Sequence, residues 1–392
     1  MVKEWPMSPI GDIFDFKNGL NKGKEYFGYG TPIVNYTDVY HHVGLYKKDI
    51  KGKVCLTREE IRRFGVKKND VFFTRTSETP EEVGISSVLL EDIEDCVFSG
   101  FVLRGRPIKD DLLAEYCKYC FSTKAVRTEI IQNCTYTTRA LTNGKVLSKI
   151  CIPIPPKPEQ EEIARILSSF ENYIKDLGEL IEKKKGIRDG ALEELVTGKY
   201  TIDGQNLKWD EKELNAVAFY KKGRATSERR YYVSTENMRQ NFSGIDPYNG
   251  SDIATGCQFD KTDTLIANIR PYLKKIWFAE FSGCCSADVL VIKAKEDMNS
   301  RLLYYLLANE RFINYVMSGG IKGIKMPRGD KEYIMHYPIL VPADRTNQGI
   351  IANSLAAMDE EIEMLEIEQN KIIQIREGAM DDLLTGRVRL TK

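Results

Sequence analysis

The sequence predicts an α+β chain built from a duplicated unit, in which a mixed domain is followed by a long helix and the pair then recurs. Three observations predict it. A helical block returns after a constant 188 residues. Within each copy the apolar side chains step by four and three, the 3.5-residue period of a coiled-coil seam. Ahead of each block lie short apolar runs broken by Gly, Pro, Asn and Asp, the pattern of strands and turns.

Residues 1–150 form the first domain. Its strand-like runs are Val71 to Thr74, Ile85 to Leu90 and Val97 to Leu103, and it closes on the helical stretch LLAEYCKYCFSTKAVRTEII. The second domain, residues 203–337, has runs at Thr264 to Ile269 and Val289 to Lys293 and closes on RLLYYLLANERFINYVM. Trp5, Ile10, Lys17 and Gly19 fall opposite Trp209, Leu214, Lys221 and Gly223 at a shift of 204. KKNDVFFTR then resembles DKTDTLIAN at a shift of 193, and SGFVLRGR resembles SADVLVIKA at 187. A shift that shrinks along the chain means one scaffold with loops of different length. Each domain is expected to hold a twisted, mainly antiparallel sheet.

Residues 151–202 and 338–392 carry the long helices as spacers. Gln160, Ala164, Leu167, Ile174, Leu177, Gly190 and Leu195 recur as Gln348, Ala352, Leu355, Ile362, Leu365, Gly378 and Leu383, each 188 residues later. The seam runs through Ile163, Leu167, Phe170, Ile174 and Leu177 in the first copy, and Ile351, Leu355, Met358, Ile362 and Leu365 in the second. Pro158 suits a first helical turn, Asp344 or Thr346 can cap the second helix, and Gly198 and Gly386 stand where helices stop. Forty residues at 1.5 Å each make a rod of about 60 Å, whose apolar stripe no local loop can cover. The other copy is its natural partner. Lys184 and Gln369 interrupt the seam, and Gly186, Gly190 and Gly378 are expected to weaken or bend the later turns, at about 1 kcal/mol each relative to Ala.

Composition bounds the function. The 57 Lys and Arg balance 57 Asp and Glu, which excludes a uniformly basic coat, and 42% hydrophobic residues mark a globular chain. No apolar run reaches the roughly 18 to 20 residues of a membrane span, and MVKEWPMSPIGD has no apolar signal core, so a cytoplasmic protein is expected. Nine cysteines without a secretion signal point to reduced thiols. Cys117 and Cys120 form a CxxC that reads either as half of a zinc site or as small hydrophobes on one helical face; no second pair has the matching spacing. His41, His42 and His336 are the only histidines, which leaves acid–base chemistry poorly supplied.

The zero net charge is unevenly distributed. The two domains each sum to +3, with 23 basic and 20 acidic residues in 1–150 and 20 and 17 in 203–337, while the helical spacers sum to −2 and −4. The cations also cluster with amides, hydroxyls and aromatics, the groups that neutralise phosphates and satisfy base edges. In the first domain the clusters hold Lys17, Asn21, Lys22, Lys24 and Tyr26, then Thr74, Arg75 and Ser77, then Thr137, Thr138, Arg139 and Lys145. In the second they hold Lys221, Lys222, Arg224, Arg229 and Arg230, then Asn268, Arg270, Tyr272 and Lys274, then Lys322, Lys325 and Arg328. Any one of these reads equally as a solvated surface charge; their recurrence at matched places in two copies is the stronger signal.

The block PIPPKPEQEEIARILS, opening a helix that closes in LEELVTGK, resembles the conserved helix of specificity subunits of type I restriction-modification systems. The order of domain, helix, domain, helix is similar over essentially all 392 residues. The second copy departs from the pattern, with ADRTNQ where PKPEQ would stand. The resemblance implies two DNA target recognition domains, held apart by an antiparallel helix pair with pseudo-twofold symmetry. It implies a non-catalytic reader of a split, asymmetric duplex target that docks two methyltransferase subunits and, through them, restriction subunits. S-adenosylmethionine, ATP and magnesium would then be bound only by partners, with no cofactor, metal or catalytic residue here. A rod of about 60 Å can space two heads by the roughly 34 Å that separates successive major-groove faces.

Absences agree with a reader. There is no Asn-Pro-Pro-Tyr or Asp-Pro-Pro-Tyr methyltransferase motif and no P-loop, since in GFVLRGRP Arg106 and Pro107 stand where Lys and Ser or Thr are required. Two other readings fit the same residues: a standalone bipartite DNA-binding regulator, and a coiled-coil adaptor that binds no DNA. Salt-dependent duplex binding separates the second from the rest, and copurification with a methyltransferase subunit separates the first.

Overall fold

The computed structural model describes residues 5–319 and 327–390. The chain forms two compact units, Met1–Leu177 with Glu368–Lys392, and Gly178–Ile367. The long helices, Lys157–Val196 and Arg345–Leu384, each contribute to both. Each unit thus holds one mixed domain, the first half of the helix that follows it and the second half of the other helix. No helix among the described residues is long and apolar enough to cross a membrane.

In the first unit a five-stranded sheet runs in the order Phe14–Asn18, Val102–Pro107, Val71–Thr74, Ser86–Leu89, Gly44–Leu45, antiparallel except for the last pair. Its central strand, VFFT, is buried along its whole length because it is covered on both faces. Phe73 joins a core with Tyr116, Tyr119, Cys117, Cys120 and the helix residues Ile163 and Leu167. Phe72 joins a second core beneath Val34, Leu89 and Phe98. The second unit repeats the plan with Ala218–Tyr220, Val289–Ala294, Thr264–Ala267, Ile276–Phe278, all antiparallel.

The duplication extends to individual hydrogen bonds. The Gln160 amide accepts from Leu113 N–H at 2.8 Å and donates to Pro155 O; Gln348 accepts from Asn299 N–H at 2.9 Å and donates to Pro342 O. Buried Tyr119 donates to Glu171 at 2.8 Å, and Tyr305 donates to Asp359 at 2.7 Å. In both domains a turn closes on a buried carboxylate, Lys67 N–H to Asp70 and Asp260 N–H to Asp263, each at 2.8 Å.

Two expectations change. The run Val97 to Leu103 divides at Ser99–Phe101, because Val97–Phe98 pairs in parallel with Ile33 and Val34 of another sheet while Val102–Pro107 joins the five-stranded one. Each closing helix breaks in two, giving Ala114–Cys117 and Lys124–Gln132, then Ser300–Leu307 and Glu310–Ser318. The cause is a new cap: Thr123 accepts from Val126 N–H, and Asn309 from Phe312 N–H. Cys117 and Cys120 therefore do not share one helix, although both are buried; burial and Cys117 hold the Cys120 thiol well above its usual range. Among the described residues no group of three or more His, Cys, Asp and Glu comes together as a metal-binding set.

Both long helices run unbroken for 40 residues, through Gly186, Gly190 and Gly378. Asp344 caps the second, accepting from Thr346 N–H at 2.9 Å. The first ends at Gly198, φ 68°, with Lys199 N–H donating to Glu194 O and Gly198 N–H to Leu195 O, the paired closure that a left-handed residue allows. The helices pack antiparallel. In the second unit Lys184 meets Glu361 at 2.6 Å and Arg188 meets Asp359 at 3.0 Å; in the first, the Gln369 amide donates to Ile174 O at 3.1 Å. The two polar interruptions of the seam are thus paired across it. Ile163, Leu167, Leu177, Ile351, Leu355 and Ile362 are buried, and Phe170, Ile174, Met358 and Leu365 half-buried. The early seam residues serve more than helix pairing: Ile163 and Leu167 belong to the first domain's core, and Ile351 and Leu355 to the second's.

Candidate nucleic-acid interface

In the first unit three separated loops meet at the ends of the central strands. Arg75 follows strand Val71–Thr74, and its N–H donates to Phe101 O at 2.9 Å. Thr76–Ser77 pairs with Ala140–Leu141, which pairs with Thr135–Tyr136, so the hairpin tip carrying Thr137, Thr138 and Arg139 stands beside it. On the other side Gly100 N–H donates to Leu20 O at 2.7 Å, bringing in the loop with Asn21, Lys24 and Tyr26. Arg139, Lys24 and Asn21 are exposed, as are Tyr136 and Phe101, at 58% and 57%. Phe101 escaped the sequence reading, although a Phe in a turn between two apolar strands was its available signal. Lys145 is exposed on the short helix Gly144–Leu147 that follows the hairpin.

Several predicted residues are turned inward. Thr74 is buried, donating to Glu82 O at 2.6 Å and accepting from Ile85 N–H. Ser77 is buried against the Glu82 carboxylate and accepts from Tyr36 Oη. Neither presents its hydroxyl to solvent, so both leave the candidate surface. The Lys17 ammonium donates to Arg63 O, and burial together with Arg104 and Arg63 lowers its pKa. Lys22 lies 2.8 Å from Glu60 and 4.5 Å from the Tyr26 ring centroid; this pairing, with Thr57 N–H, holds the Glu60 carboxyl down to about 2. Arg75 is half-buried, with Nη1 donating to Gly100 O at 3.3 Å.

The second unit repeats the strand end and brings the segment at Pro327 and Arg328 to it. Asn268 N–H donates to Asp288 O at 2.8 Å, the counterpart of the bond from Arg75 to Phe101. Arg270 N–H donates to Pro327 O, and Ile269 bridges to Arg328. Arg270 and Lys274 adopt left-handed backbone, φ 51° and 55°, around the turn Pro271–Leu273, which leaves Tyr272 49% exposed. Asn268 itself is buried. Lys274 is paired with Glu310, Arg328 with Asp288 at 3.0 Å and Arg230 with Glu228 at 2.9 Å. Lys221 is locked between Asp260 and Asp263, at the start of strand Thr264–Ala267 and so at the opposite end from Asn268. It leaves the candidate surface for that reason. Lys222, Arg224 and Arg229 are exposed and have no carboxylate partner among the described residues; Arg139, Lys24 and Lys145 are their equals in the first unit. Lys322 and Lys325 lie outside the described residues.

Comparison with known proteins matches this arrangement. The profile of the type I restriction modification DNA specificity domain matches residues 2–201 and again 206–376. A putative type I restriction enzyme MjaX specificity subunit of Methanocaldococcus jannaschii is 25% identical, covering 99% of this chain and 94% of the relative. The MjaVIII specificity subunit of the same organism is 22% identical over the same shares. Among solved structures, the S subunit of a type I restriction-modification system from M. genitalium superposes with TM-score 0.59 at 16% identity, covering 97% of this chain and 96% of that one. The HsdS subunit from Thermoanaerobacter tengcongensis gives 0.52 at 14% identity, with 99% and 98% covered. With both halves matched by one profile, the chain belongs to the family of DNA specificity subunits of type I restriction-modification systems.

Proposed function

We propose that this chain is the non-catalytic reader of a split DNA target, each domain reading one half, and that methylation and cleavage are supplied by docked methyltransferase and restriction subunits. The observation that carries the reading is the recurrence of one strand end, closed by Arg75 N–H on Phe101 O in the first domain and by Asn268 N–H on Asp288 O in the second, with different side chains on it. Equal scaffolds give equal placement, and unequal loops give unequal half-sites. S-adenosylmethionine, ATP and magnesium belong on the partners in this reading. Docking is supported by apolar side chains left exposed on the helices, Leu180, Ile187, Met364 and Ile367 in the second unit, which a partner surface would cover. One structural relative, with TM-score 0.56 at 14% identity over 98% of both chains, was solved in work on complex assembly and conformational transition of the type I system.

Exchanging residues 1–150 for another recognition domain tests the reading. Methylome sequencing should show one half of the target replaced and the other kept; two altered halves would contradict it. The free cations give a second test. Arg139→Gln combined with Lys145→Gln should lower the slope of log affinity against log salt by roughly 2, at about 0.9 per phosphate lost. Lys22→Gln, whose ammonium already serves Glu60, should leave that slope unchanged. Equal slopes for all three proteins would argue against phosphate contact by this surface.

A further inference from the structure

Among the cations of the second domain Arg229 is held unlike its neighbours. Its guanidinium carbon lies 4.7 Å from the Tyr248 ring centroid and 5.3 Å from that of Tyr232, while the side chain remains exposed. The two rings adjoin, 6.2 Å apart between centroids. Both are fixed: Tyr248 Oη is 2.8 Å from Ser234 Oγ, and Tyr232 pairs in parallel with Cys284 in a second four-stranded sheet of this unit, ordered Arg224–Glu228, Ile253–Phe259, Gly283–Cys285, Tyr232–Val233. The backbone is pinned as well, with Arg229 N–H donating to Asp252 O at 2.6 Å. Nearby arginines are already neutralised, Arg230 by Glu228 and Arg239 by Asp246, each at 2.9 Å. Arg229 has no carboxylate among the described residues.

Aromatic faces beneath a guanidinium do two things. They fix its plane, removing much of the rotamer freedom that a long side chain would lose on binding, and they leave its edge N–H groups facing outward. A phosphate can also accept two parallel donors, but it offers oxygens on every side, so a guanidinium need not be held in one plane to meet it. A guanine edge, with O6 and N7 side by side, needs two parallel donors in a set plane. We propose that Arg229 reads a guanine in the half-site of the second domain, with Tyr232 and Tyr248 as the residues that position it; this rests on the DNA-reading function above.

The first domain has no arginine at the equivalent place in the strand count. Strand pairing aligns Ile33 and Val34, against Val97 and Phe98, with Tyr232 and Val233, against Cys284 and Cys285. Counting back places Gly30, within strand Phe27–Val34, at the same count as Arg229, which stands in the turn Arg229–Tyr231. Gly30 has φ 95°, and a Cβ there would lie 2.6 Å from Val54 O, so no side chain can stand at that position. The two domains therefore differ at this point.

The test uses the full chain in complex with its methyltransferase partner, with wild type, Arg229→Ala and Arg229→Lys compared by methylome sequencing and by duplex binding over a range of salt. Arg229→Ala is expected to make one guanine position of the second half-site degenerate, with discrimination there falling on the order of 10- to 100-fold and the first half unchanged. Arg229→Lys should keep the salt slope yet lose part of the discrimination at that position, because the N–H groups of an ammonium diverge where those of a guanidinium run parallel. Evenly weakened methylation at an unaltered target would make Arg229 a phosphate contact and overturn the proposal, as would an unchanged methylome or a wild-type second half-site without guanine. A wild-type complex that methylates no bipartite target would overturn the underlying reading as well.

Discussion

Leu167→Asp should unfold the first unit. Leu167 is fully buried among Tyr116, Tyr119, Ile163 and Leu383, where the first half of one long helix and the second half of the other meet the domain core. The substitution removes a packed side chain, worth about 2–5 kcal/mol in a core of this kind, and adds an unpaired carboxylate to the same place. A loss of about 4 kcal/mol or more approaches the whole stability of an ordinary domain. Leu355→Asp should act likewise in the second unit, where Leu355 is fully buried beside Ile351 and Ala352. Leu167→Met, nearly equal in volume, should cost under about 1.5 kcal/mol. Urea unfolding followed by circular dichroism measures all three; an Asp variant with an unshifted midpoint would show that this seam is not buried in solution.

Glu159→Gln carries the second large effect. Glu159 is buried in the first turn of the first long helix, where it accepts from Trp5 Nε1 at 3.0 Å, from Arg389 twice at 2.7 Å and from Leu390 N–H at 3.1 Å. One carboxylate thereby gathers the start of the domain, the start of one helix and the residues after the end of the other. Arg389 lies over the Trp5 ring, 4.8 Å from its centroid. Gln cannot serve all of these donors and leaves the guanidinium without its counter-charge, at a cost of roughly 2–4 kcal/mol. The clamp is confined to this unit, since Asn347 and Thr201 stand at the positions corresponding to Glu159 and Arg389. Hydrogen bonds from Arg389, above all, hold the Glu159 carboxyl below its ordinary range. Its contribution is therefore complete above the unfolded carboxyl's pKa, about 4.3, and is lost as pH falls through the lower folded value. The gap between wild type and Glu159→Gln should be widest near neutral pH and close in acid. A gap independent of pH between 7 and 3 would place the effect elsewhere.

The order of domains and helices is legible in the sequence alone. A shift of 188 with apolar on apolar and Gly on Gly needs only periodicity to be read as a duplicated helix, and the drifting shift of the domains reads as one scaffold with altered loops. The strand Val71–Thr74 falls where its apolar run lies, because a strand buried on both faces carries apolar side chains on both, and its one polar residue, Thr74, has its hydroxyl hydrogen-bonded. The breaks in the closing helices were less visible, since Thr123 and Asn309 act as caps only once the backbone has turned.

Tertiary structure decided which charges remain available. Lys22, Lys221 and Arg229 look alike in sequence, each a cation among glycines or tyrosines. Folding brings Glu60 to the first, Asp260 and Asp263 to the second, and only tyrosine rings to the third. Thr74 and Ser77 likewise differ from Thr137 and Thr138 only in what lies above them. Local sequence determines what a side chain can offer. Whether a carboxylate dozens of residues away has already taken it is settled by topology, which sequence alone specified here for the duplicated plan and its helical spacers but not for the loops that ride on them.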